Sequence, residues 1–274
     1  TDALSRESID FIERNSNNPF FIYLAYNAPH GPLQATDKYL NRYDHIKEKN
    51  RKTYAAMVSA VDDGVGNIVS KLKEKGIYEN TIIYFLSDNG GRLRGDSDNG
   101  ELRGKKGNLF EGGIRVPFVM QWPAKVKGGQ IYNNPVISLD IFATSKALTS
   151  PNIVSKNELH GVNLIPFLTG EKTHAPHDNL FWRNNLMQND PNLRVEASAV
   201  RNKKFKFIKN KEAVALYDLK NDISEKNDIK NQEIEVYNKL VNDHKEWLKT
   251  LKEPIFLRLM ANKEYNRLNP GRFN

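Results

Sequence analysis

The chain has 274 residues, of which 39% are hydrophobic and 27% are charged, a balance typical of a globular protein. Its apolar runs are shorter than the ~20 residues that a membrane-spanning helix needs, and it contains no cysteine, which excludes disulfides, thiolate metal sites and a cysteine nucleophile within these residues. The net charge of +8 allows a polyanionic partner, but lysine-rich usage on an ordinary solvated surface is the simpler explanation.

The first part of the chain alternates between helix and strand patterns. Apolar residues at helical spacing predict helices over residues 2–15, 52–75 and 137–148. Apolar runs predict strands over residues 20–26, 81–87 and 116–122; the continuous run 20–26 is expected to be covered on both faces and the strand 81–87 to be buried. We therefore predict an α/β fold with a mixed, mostly parallel sheet flanked by helices.

The pattern changes after about residue 190. Residues 196–210 and 213–219 predict neighbouring strands of a small antiparallel sheet, and residues 231–253 predict an amphipathic helix. In "RNKKFKFIKN", apolar Phe205 and Phe207 alternate with Lys204 and Lys206, which predicts a half-buried strand with a charged outer face. We accordingly divide the chain into a main α/β domain, residues 1–185, and a small C-terminal α+β subdomain, residues 186–274.

Polar side chains follow two of the predicted strands. Asp88 and Asn89 come directly after the strand 81–87, and His30 lies in "NAPHGPL", the loop after the strand 20–26. Ligands of open α/β sheets bind beyond the carboxyl ends of the strands, so these residues are expected on one rim. Two tandem oxygen-bearing side chains suit calcium or magnesium, although Asp-Asn-Gly-Gly alone is also ordinary turn chemistry.

A basic, glycine-rich loop follows in "LRGKKGNLFEGGIRVP", residues 102–117. Its glycines would let the backbone approach a ligand closely, and a lysine ammonium suits a tetrahedral oxyanion; the alternative is a mobile surface loop. A carboxylate–amide pair, an imidazole and a lysine together predict transfer of a group resembling sulfate or phosphate. The metal and the lysine would neutralise the oxyanion, and the histidine would protonate the leaving oxygen.

Five segments of the chain resemble motifs of a known family, and they occur in the family's order: "PFFIYLAYNAPHGPL", "TIIYFLSDNGG", "LRGKKGNLFEGGIRVPFVMQWP", "HGVNLIPFLTGE" and "LYDLKND". The family is the type I, formylglycine-dependent sulfatases of the alkaline phosphatase superfamily. The resemblance implies an alkaline-phosphatase-like core that is incomplete here, hydrolysis of a sulfate ester, for which a sulfated glycan is the expected substrate, and a periplasmic or secreted location.

The resemblance also implies roles for individual residues. Asp88 and Asn89 match the pair that binds calcium. His30 matches the histidine that contacts the sulfate ester and assists the leaving group. Lys106 matches the sulfate-binding lysine, and its neighbour Lys105 occupies a variable position.

Four further residues receive supporting roles. Glu111 and Arg115 match a motif that we interpret as support for the loop of the sulfate-binding lysine. His177 and Arg183 lie near the predicted subdomain junction and are candidates for substrate binding, His177 by lining a cleft and Arg183 by gripping an acidic group. A structural role remains open for both.

The chain departs from the family pattern in one large respect. It carries neither the early acidic metal ligands nor the Cys/Ser-x-Pro-Ser-Arg motif whose first residue becomes formylglycine. We therefore expect residues 1–274 to be the carboxyl-terminal portion of a longer sulfatase, with its amino-terminal part as the partner. By itself this portion would have an incomplete calcium site, no nucleophile and little or no activity.

Two alternatives remain. The same superfamily contains phosphonate and phosphate ester hydrolases, and the positive charge would also suit a non-catalytic module that binds anionic glycans. The basic residues are dispersed and no zinc-finger, RRM or helix-turn-helix pattern is present, so we expect no nucleic-acid partner. The short apolar runs likewise predict no membrane partner.

Overall fold

The computed structural model describes residues 1–92, 97–150, 152, 159–186, 195–210, 213–252 and 267. The chain forms two compact units, each built from separate stretches of sequence. The first unit comprises residues 1–98, 117–132 and 168–172, and the second comprises residues 99–116, 133–167 and 173–274. The basic loop 102–115 thus belongs to the same unit as the C-terminal part of the chain, and a simple boundary at residue 185 stays a prediction.

Two long helices dominate the first unit, α1 (Asp2–Asn15) and α3 (Lys49–Glu74), and the short helix α2 (Asp37–Leu40) precedes α3. Both long helices fall where the apolar periodicity predicts them. They approach each other closely at Gly64, where a Cβ atom would lie 2.3 Å from Oγ of Ser5. Ser5 in turn shares a hydrogen bond of 2.8 Å with the hydroxyl of Tyr26.

The strands of the first unit are β1 (Ile83–Leu86) and β2 (Phe118–Gln121), and they pair antiparallel with Phe85 opposite Val119. Every strand pair in the described part of the chain is antiparallel, so the prediction of a mostly parallel sheet is not supported. Residues 20–26 form no strand, and alternate residues are exposed, with Phe21 at 75% and Tyr23 at 83%. The apolar pattern reports a preference for burial, whereas strand direction depends on distant neighbours that the pattern does not identify.

The second unit contains an antiparallel sheet of four strands, β3 (Leu180–Leu186), β4 (Val195–Arg201), β5 (Phe205–Lys209) and β6 (Val214–Asp218), in sequential order. Helix α7 (Ile234–Thr250) covers one face, where Leu240 packs with Val200, Phe207 and Leu216. The predicted antiparallel sheet and amphipathic helix are therefore confirmed. No helix in the described ranges is long and apolar enough to cross a membrane.

The other face of this sheet is covered by the basic loop. Leu109 and Phe110, just before the short helix α4 (Glu111–Ile114), pack on Ala199, Ile208 and Tyr217. The second unit also contains α5 (Leu139–Thr149), where a helix is predicted. The short helix α6 (Ile165–Leu168) begins in the second unit, and its last residue is assigned to the first. The loop that carries Lys106 is therefore anchored to the C-terminal sheet.

Candidate active site

Lys106 lies in a loop whose backbone is fixed on both sides. Gly104 and Gly107 have φ angles of +86° and +90°, in the left-handed region that favours glycine. The side-chain amide of Asn184, on β3, donates a 3.0 Å hydrogen bond to the carbonyl oxygen of Gly107. The Lys106 side chain is exposed, and its ammonium forms no hydrogen bond or ion pair with any described residue. It is therefore available to an anion.

The paired glycines of the loop bring its own backbone together. A Cβ atom on Gly112 would lie 2.6 Å from the carbonyl oxygens of Arg103 and Gly104, and one on Gly113 would lie 2.2 Å from that of Asn108. The N–H of Gly112 donates to the carbonyl of Arg103 at 2.7 Å. At these two positions the close approach that the sequence suggests for a ligand is an approach of the loop to itself.

A buried ionic cluster lies beneath the loop. Glu111 is fully buried, and its Oε1 accepts from Arg201 Nε at 3.3 Å and from Lys206 Nζ at 3.2 Å. Lys206 also lies 2.9 Å from Oε1 of Glu225, and both of these side chains are inaccessible to solvent. Arg115 approaches the second oxygen of Glu111 at 3.8 Å. These contacts agree with the supporting role predicted for Glu111 and Arg115.

The expectation that Lys206 lies on a charged outer face is wrong. Phe207 faces α7 and Lys206 points to the opposite face, as the alternation requires, but the loop with Leu109 and Phe110 covers that face. Neither Lys206 nor Glu225 is predicted from the sequence pattern to support the loop. A buried lysine needs acidic partners, and such partners close in sequence would have indicated its burial. Glu111 and Glu225 are far from Lys206 in sequence, so the pattern around Lys206 does not show them.

His30 is held by its own loop. Its backbone N–H donates to the carbonyl of Asn27 at 2.9 Å, and its Nδ1 lies 2.7 Å from the carbonyl oxygen of Gly31. A carbonyl oxygen only accepts hydrogen bonds, so Nδ1 carries a proton. The ring is exposed, which leaves Nε2 as the atom that can exchange a proton with a substrate.

Asp88 and Asn89 follow the end of β1. The hydroxyl of Ser87 donates to the carbonyl of Asn89 at 2.8 Å, and the Asn89 side-chain nitrogen donates to the carbonyl of Gly90 at 3.1 Å. The exposed Asp88 carboxylate has no hydrogen bond or ion pair with a described residue. Both side chains thus present oxygen atoms that suit a hard cation.

These two oxygen donors make up only part of a calcium shell. Calcium takes six to eight oxygen ligands. Among the residues that the structure describes, no group of three or more His, Cys, Asp or Glu side chains is arranged to hold a metal ion. Calcium binding by Asp88 and Asn89 therefore stays a prediction.

His177 is engaged by a buried carboxylate. Its Nε2 lies 2.8 Å and 3.1 Å from the two oxygens of Asp140, which also accept the N–H groups of Ile137 and Val162 at 2.9 Å. The His177 side chain is only 10% exposed. The contact ties His177 to the start of α5, and its substrate-binding role stays a prediction.

Arg183 lies on β3 between two residues that face the loop. Trp182 packs on the apolar cluster that contains Leu109 and Phe110, and the Asn184 side chain donates a hydrogen bond to the Gly107 carbonyl. Because strand side chains alternate, Arg183 shares the opposite face with Phe181, which stacks on Trp247 of α7 at 5.1 Å. Its substrate-binding role stays a prediction, and it would have to be exercised from the helix-covered face.

The predicted site residues are distributed over both units: His30, Asp88 and Asn89 belong to the first, whereas Lys106, His177 and Arg183 belong to the second. A cavity of about 190 Å³ in the first unit is lined by α1 and α3, and one of about 490 Å³ in the second is lined by Phe181 and α7. Neither cavity is lined by a predicted site residue. The convergence of these residues on one substrate stays a prediction.

Comparison with known proteins identifies the class. The sulfatase family model matches residues 1–150, and the model of the C-terminal domain of N-sulphoglucosamine sulphohydrolase matches residues 104–254. The chain therefore belongs to the sulfatase family, whose members hydrolyse sulfate esters, and the resemblance inferred from the sequence motifs is confirmed.

Particular relatives show how much of the family's length the chain spans. The uncharacterized sulfatase YdeN of Escherichia coli (strain K12) is 36% identical over 187 residues, 66% of this chain and 33% of that protein. The human steryl-sulfatase is 31% identical over 218 residues, 77% of this chain and 36% of that protein. The crystal structure of Ps i-CgsB in complex with k-i-k-neocarrahexaose matches with a TM-score of 0.87 and 36% identity, covering 99% of this chain and 60% of that one.

Proposed function

We propose that the protein hydrolyses the sulfate ester of a sulfated glycan and that Lys106 binds the sulfate group. The observation that carries this proposal is the exposed ammonium of Lys106, held by a fixed loop in a chain of the sulfatase family. A glycan substrate is supported by Ps i-CgsB, whose structure contains k-i-k-neocarrahexaose, a carrageenan oligosaccharide.

The residues of the chain divide the chemistry between them. Lys106 neutralises the sulfate oxygens, and it does so more strongly in the transition state, where their charge is redistributed. His30 donates a proton from Nε2 to the leaving alcohol oxygen as the sulfur–oxygen bond breaks and a nucleophile from outside residues 1–274 bonds to sulfur. The hydrogen bond of Nδ1 to the carbonyl of Gly31 orients the ring for this transfer.

The rest of the site comes from outside residues 1–274 in this proposal. Asp88 and Asn89 contribute two oxygen ligands to calcium, which supplies positive charge to the sulfate oxygens when it is bound. The 274 residues contain no cysteine and no Ser-x-Pro-Ser-Arg segment, so they supply no formylglycine. The chain by itself is expected to be inactive, and a periplasmic or secreted location is part of the proposal.

Sulfate release by the full-length protein tests this function. With carrageenan oligosaccharides and 4-nitrophenyl sulfate as substrates, Lys106→Ala should lower kcat/KM by about 10²–10³, the loss typical of a removed oxyanion contact. Lys105→Ala is the matched control, because it removes a neighbouring charge that is also exposed and should change kcat/KM less than about threefold.

Three outcomes would count against the proposal. Near-parental activity of Lys106→Ala would remove Lys106 from the site, and an equal loss in Lys105→Ala would attribute the effect to general loop charge. Faster turnover of 4-nitrophenyl phosphate than of the matched sulfate would assign the protein to the phosphate and phosphonate ester hydrolases.

A further inference from the structure

Glu225 forms hydrogen bonds with both ends of the loop that carries Lys106. The N–H of Glu111, on the C-terminal side, donates to Oε2 of Glu225 at 2.6 Å. On the N-terminal side, Nη1 of Arg103 donates to the backbone carbonyl oxygen of Glu225 at 2.8 Å. Arg103 and Glu111 bracket Lys106, and the hydrogen bond from Gly112 N–H to Arg103 closes the loop between them. Glu225 therefore acts on both sides of the lysine.

Glu225 holds an unusual backbone conformation to make these two contacts. Its φ angle is +52°, in the left-handed region that residues other than glycine rarely adopt. Its N–H donates to the carbonyl of Asp222 at 3.1 Å, and the Asp222 carboxylate accepts the N–H groups of Lys226 at 2.9 Å and Asn227 at 2.8 Å. The turn thus holds a conformation in which the side chain and the carbonyl of Glu225 reach one loop.

Positive side chains balance the buried carboxylates of Glu225 and Glu111. Lys206 places its buried ammonium between Oε1 of Glu225 and Oε1 of Glu111, and Arg201 adds a second positive charge at Glu111. A buried carboxylate without such partners would be strongly unfavourable. Because Lys206 lies in β5, the cluster fixes the loop to the sheet as well as to the Glu225 turn.

We propose that Glu225, supported by Lys206, is a positioning residue of the reaction, which holds the loop so that the Lys106 ammonium is fixed before the sulfate group binds. Glu225 is fully buried, so it acts through Lys106 and contacts no substrate. A stabilising charge contributes to catalysis only when it is already in place, and loosening the loop would forfeit that arrangement. This inference rests on the sulfate-binding role proposed for Lys106.

Hydrogen exchange of the full-length protein tests whether Glu225 holds the loop, and this measurement does not require activity. In Glu225→Ala, amide exchange over residues 103–113 should accelerate about tenfold or more, because the acceptor of the Glu111 N–H is lost. Glu225→Gln keeps a neutral acceptor and should accelerate it less, and it serves also if Glu225→Ala fails to fold. Leu240→Ala is the control, since it weakens the core on the opposite face of the sheet.

The exchange results decide the proposal in either direction. Faster amide exchange over residues 103–113 in the Glu225 variants alone supports the proposal that Glu225 holds the loop. Parental exchange over residues 103–113 in both Glu225 variants overturns it, as does equal acceleration in Leu240→Ala.

A kinetic cycle separates positioning from general destabilisation. Glu225→Ala should lower kcat/KM for sulfate esters about 100-fold in the parent, but less than about threefold when Lys106 is already alanine, because residues that act through one group are not additive. Equal losses in both backgrounds would overturn the proposal. If the parent releases no sulfate from any ester, the proposed function fails. The exchange experiment still shows whether Glu225 holds the loop.

Discussion

At the residue scale, the ion pair of Asp63 with Arg42 makes the stability of the protein depend on pH. The two carboxylate oxygens of Asp63 each accept a 2.8 Å hydrogen bond from Arg42, and this contact holds the pKa of Asp63 below its ordinary value of 3.8. Arg42 lies in the short 3-10 turn Asn41–Tyr43, so this ion pair joins that segment to α3. The pair lies near the surface, so its effect on stability should be small.

The sign of this effect follows from linkage. A lowered folded-state pKa stabilises the protein above the ordinary pKa, and that stabilisation is lost as the pH falls through the folded-state pKa. Asp63→Asn should therefore lower the Tm at pH 7, and the difference from the parent should close below about pH 4. Asp62→Asn is the control, because Asp62 is exposed and has no described partner. A difference that persists undiminished at pH 3 would contradict the assignment.

Lys206 tests the buried cluster at the same scale. Lys206→Met would leave Glu111 and Glu225 facing each other without their shared cation, and breaking such a buried group typically costs about 3–5 kcal/mol. The exposed neighbour Lys204 pairs with Asp218 at 3.6 Å, so Lys204→Met should cost less than about 1 kcal/mol. Urea unfolding measures both values, and similar costs for the two variants would show that the cluster contributes little.

The same two lysines show what a sequence pattern can predict about residues. Strand alternation correctly places Lys206 on the face opposite Phe205 and Phe207, although Lys204 precedes β5 and its Nζ lies 4.3 Å from the centre of the Phe205 ring. It does not reveal that the loop with Phe110 covers Lys206, because that contact joins segments about 95 positions apart. The resemblance of the loop to a family motif predicts Lys106 as the sulfate-binding lysine; its side chain is exposed, and the role itself stays a prediction.

At the element scale, the packing of α1 on α3 depends on Gly64. A methyl group there would lie 2.3 Å from Ser5 Oγ and 2.6 Å from Tyr26 Oη, so one of these elements would have to move. We expect Gly64→Ala to destabilise the protein by about 1–3 kcal/mol, despite the higher helix propensity of alanine.

A second glycine of the same helix provides the matched control. A Cβ atom on Gly66 meets nothing within 4 Å, so Gly66→Ala should stabilise the protein by about 0.5–1 kcal/mol. Thermal unfolding of the two variants gives the comparison. Changes of the same sign would show that propensity, and not the contact with α1, determines both.

Elements with a long helical period are the ones that the sequence predicts well. Helices α1, α3 and α7 lie close to their predicted ranges because each repeats its apolar stripe over several turns. The run "FFIYLAY" was expected to be a strand and is not one, since a strand also needs a hydrogen-bonding neighbour. The sequence supplies the side chains of that run but not the neighbour.

At the scale of the whole molecule, five motifs in order were sufficient to predict the family, while the sheet direction was missed. Motifs record local chemistry, which short stretches of sequence carry in full. Sheet direction is a property of pairs of distant strands, and β1 and β2 are separated by the entire basic loop. The same reason leaves the convergence of His30, Asp88 and Lys106 as a prediction.

The first unit exposes aromatic and aliphatic side chains that water disfavours. Phe21 and Tyr23 are 75% and 83% exposed, and Phe85 and Val119 are exposed cross-strand neighbours on the two-stranded sheet. Exposed apolar side chains and short unpaired sheets favour self-association. We therefore expect the 274-residue chain, prepared alone, to associate as its concentration rises, which light scattering coupled to size exclusion would detect.

Substitution identifies the residues responsible for this association. The double change Phe21→Thr and Tyr23→Thr keeps the extended-backbone preference of the segment and removes its two most exposed rings, so it should shift association to concentrations at least about tenfold higher. Ile131→Thr is the control, because Ile131 is 86% exposed but lies outside residues 20–26 and the strands. A chain that stays monomeric throughout, or an equal shift in Ile131→Thr, would mean that the aromatic segment does not drive association.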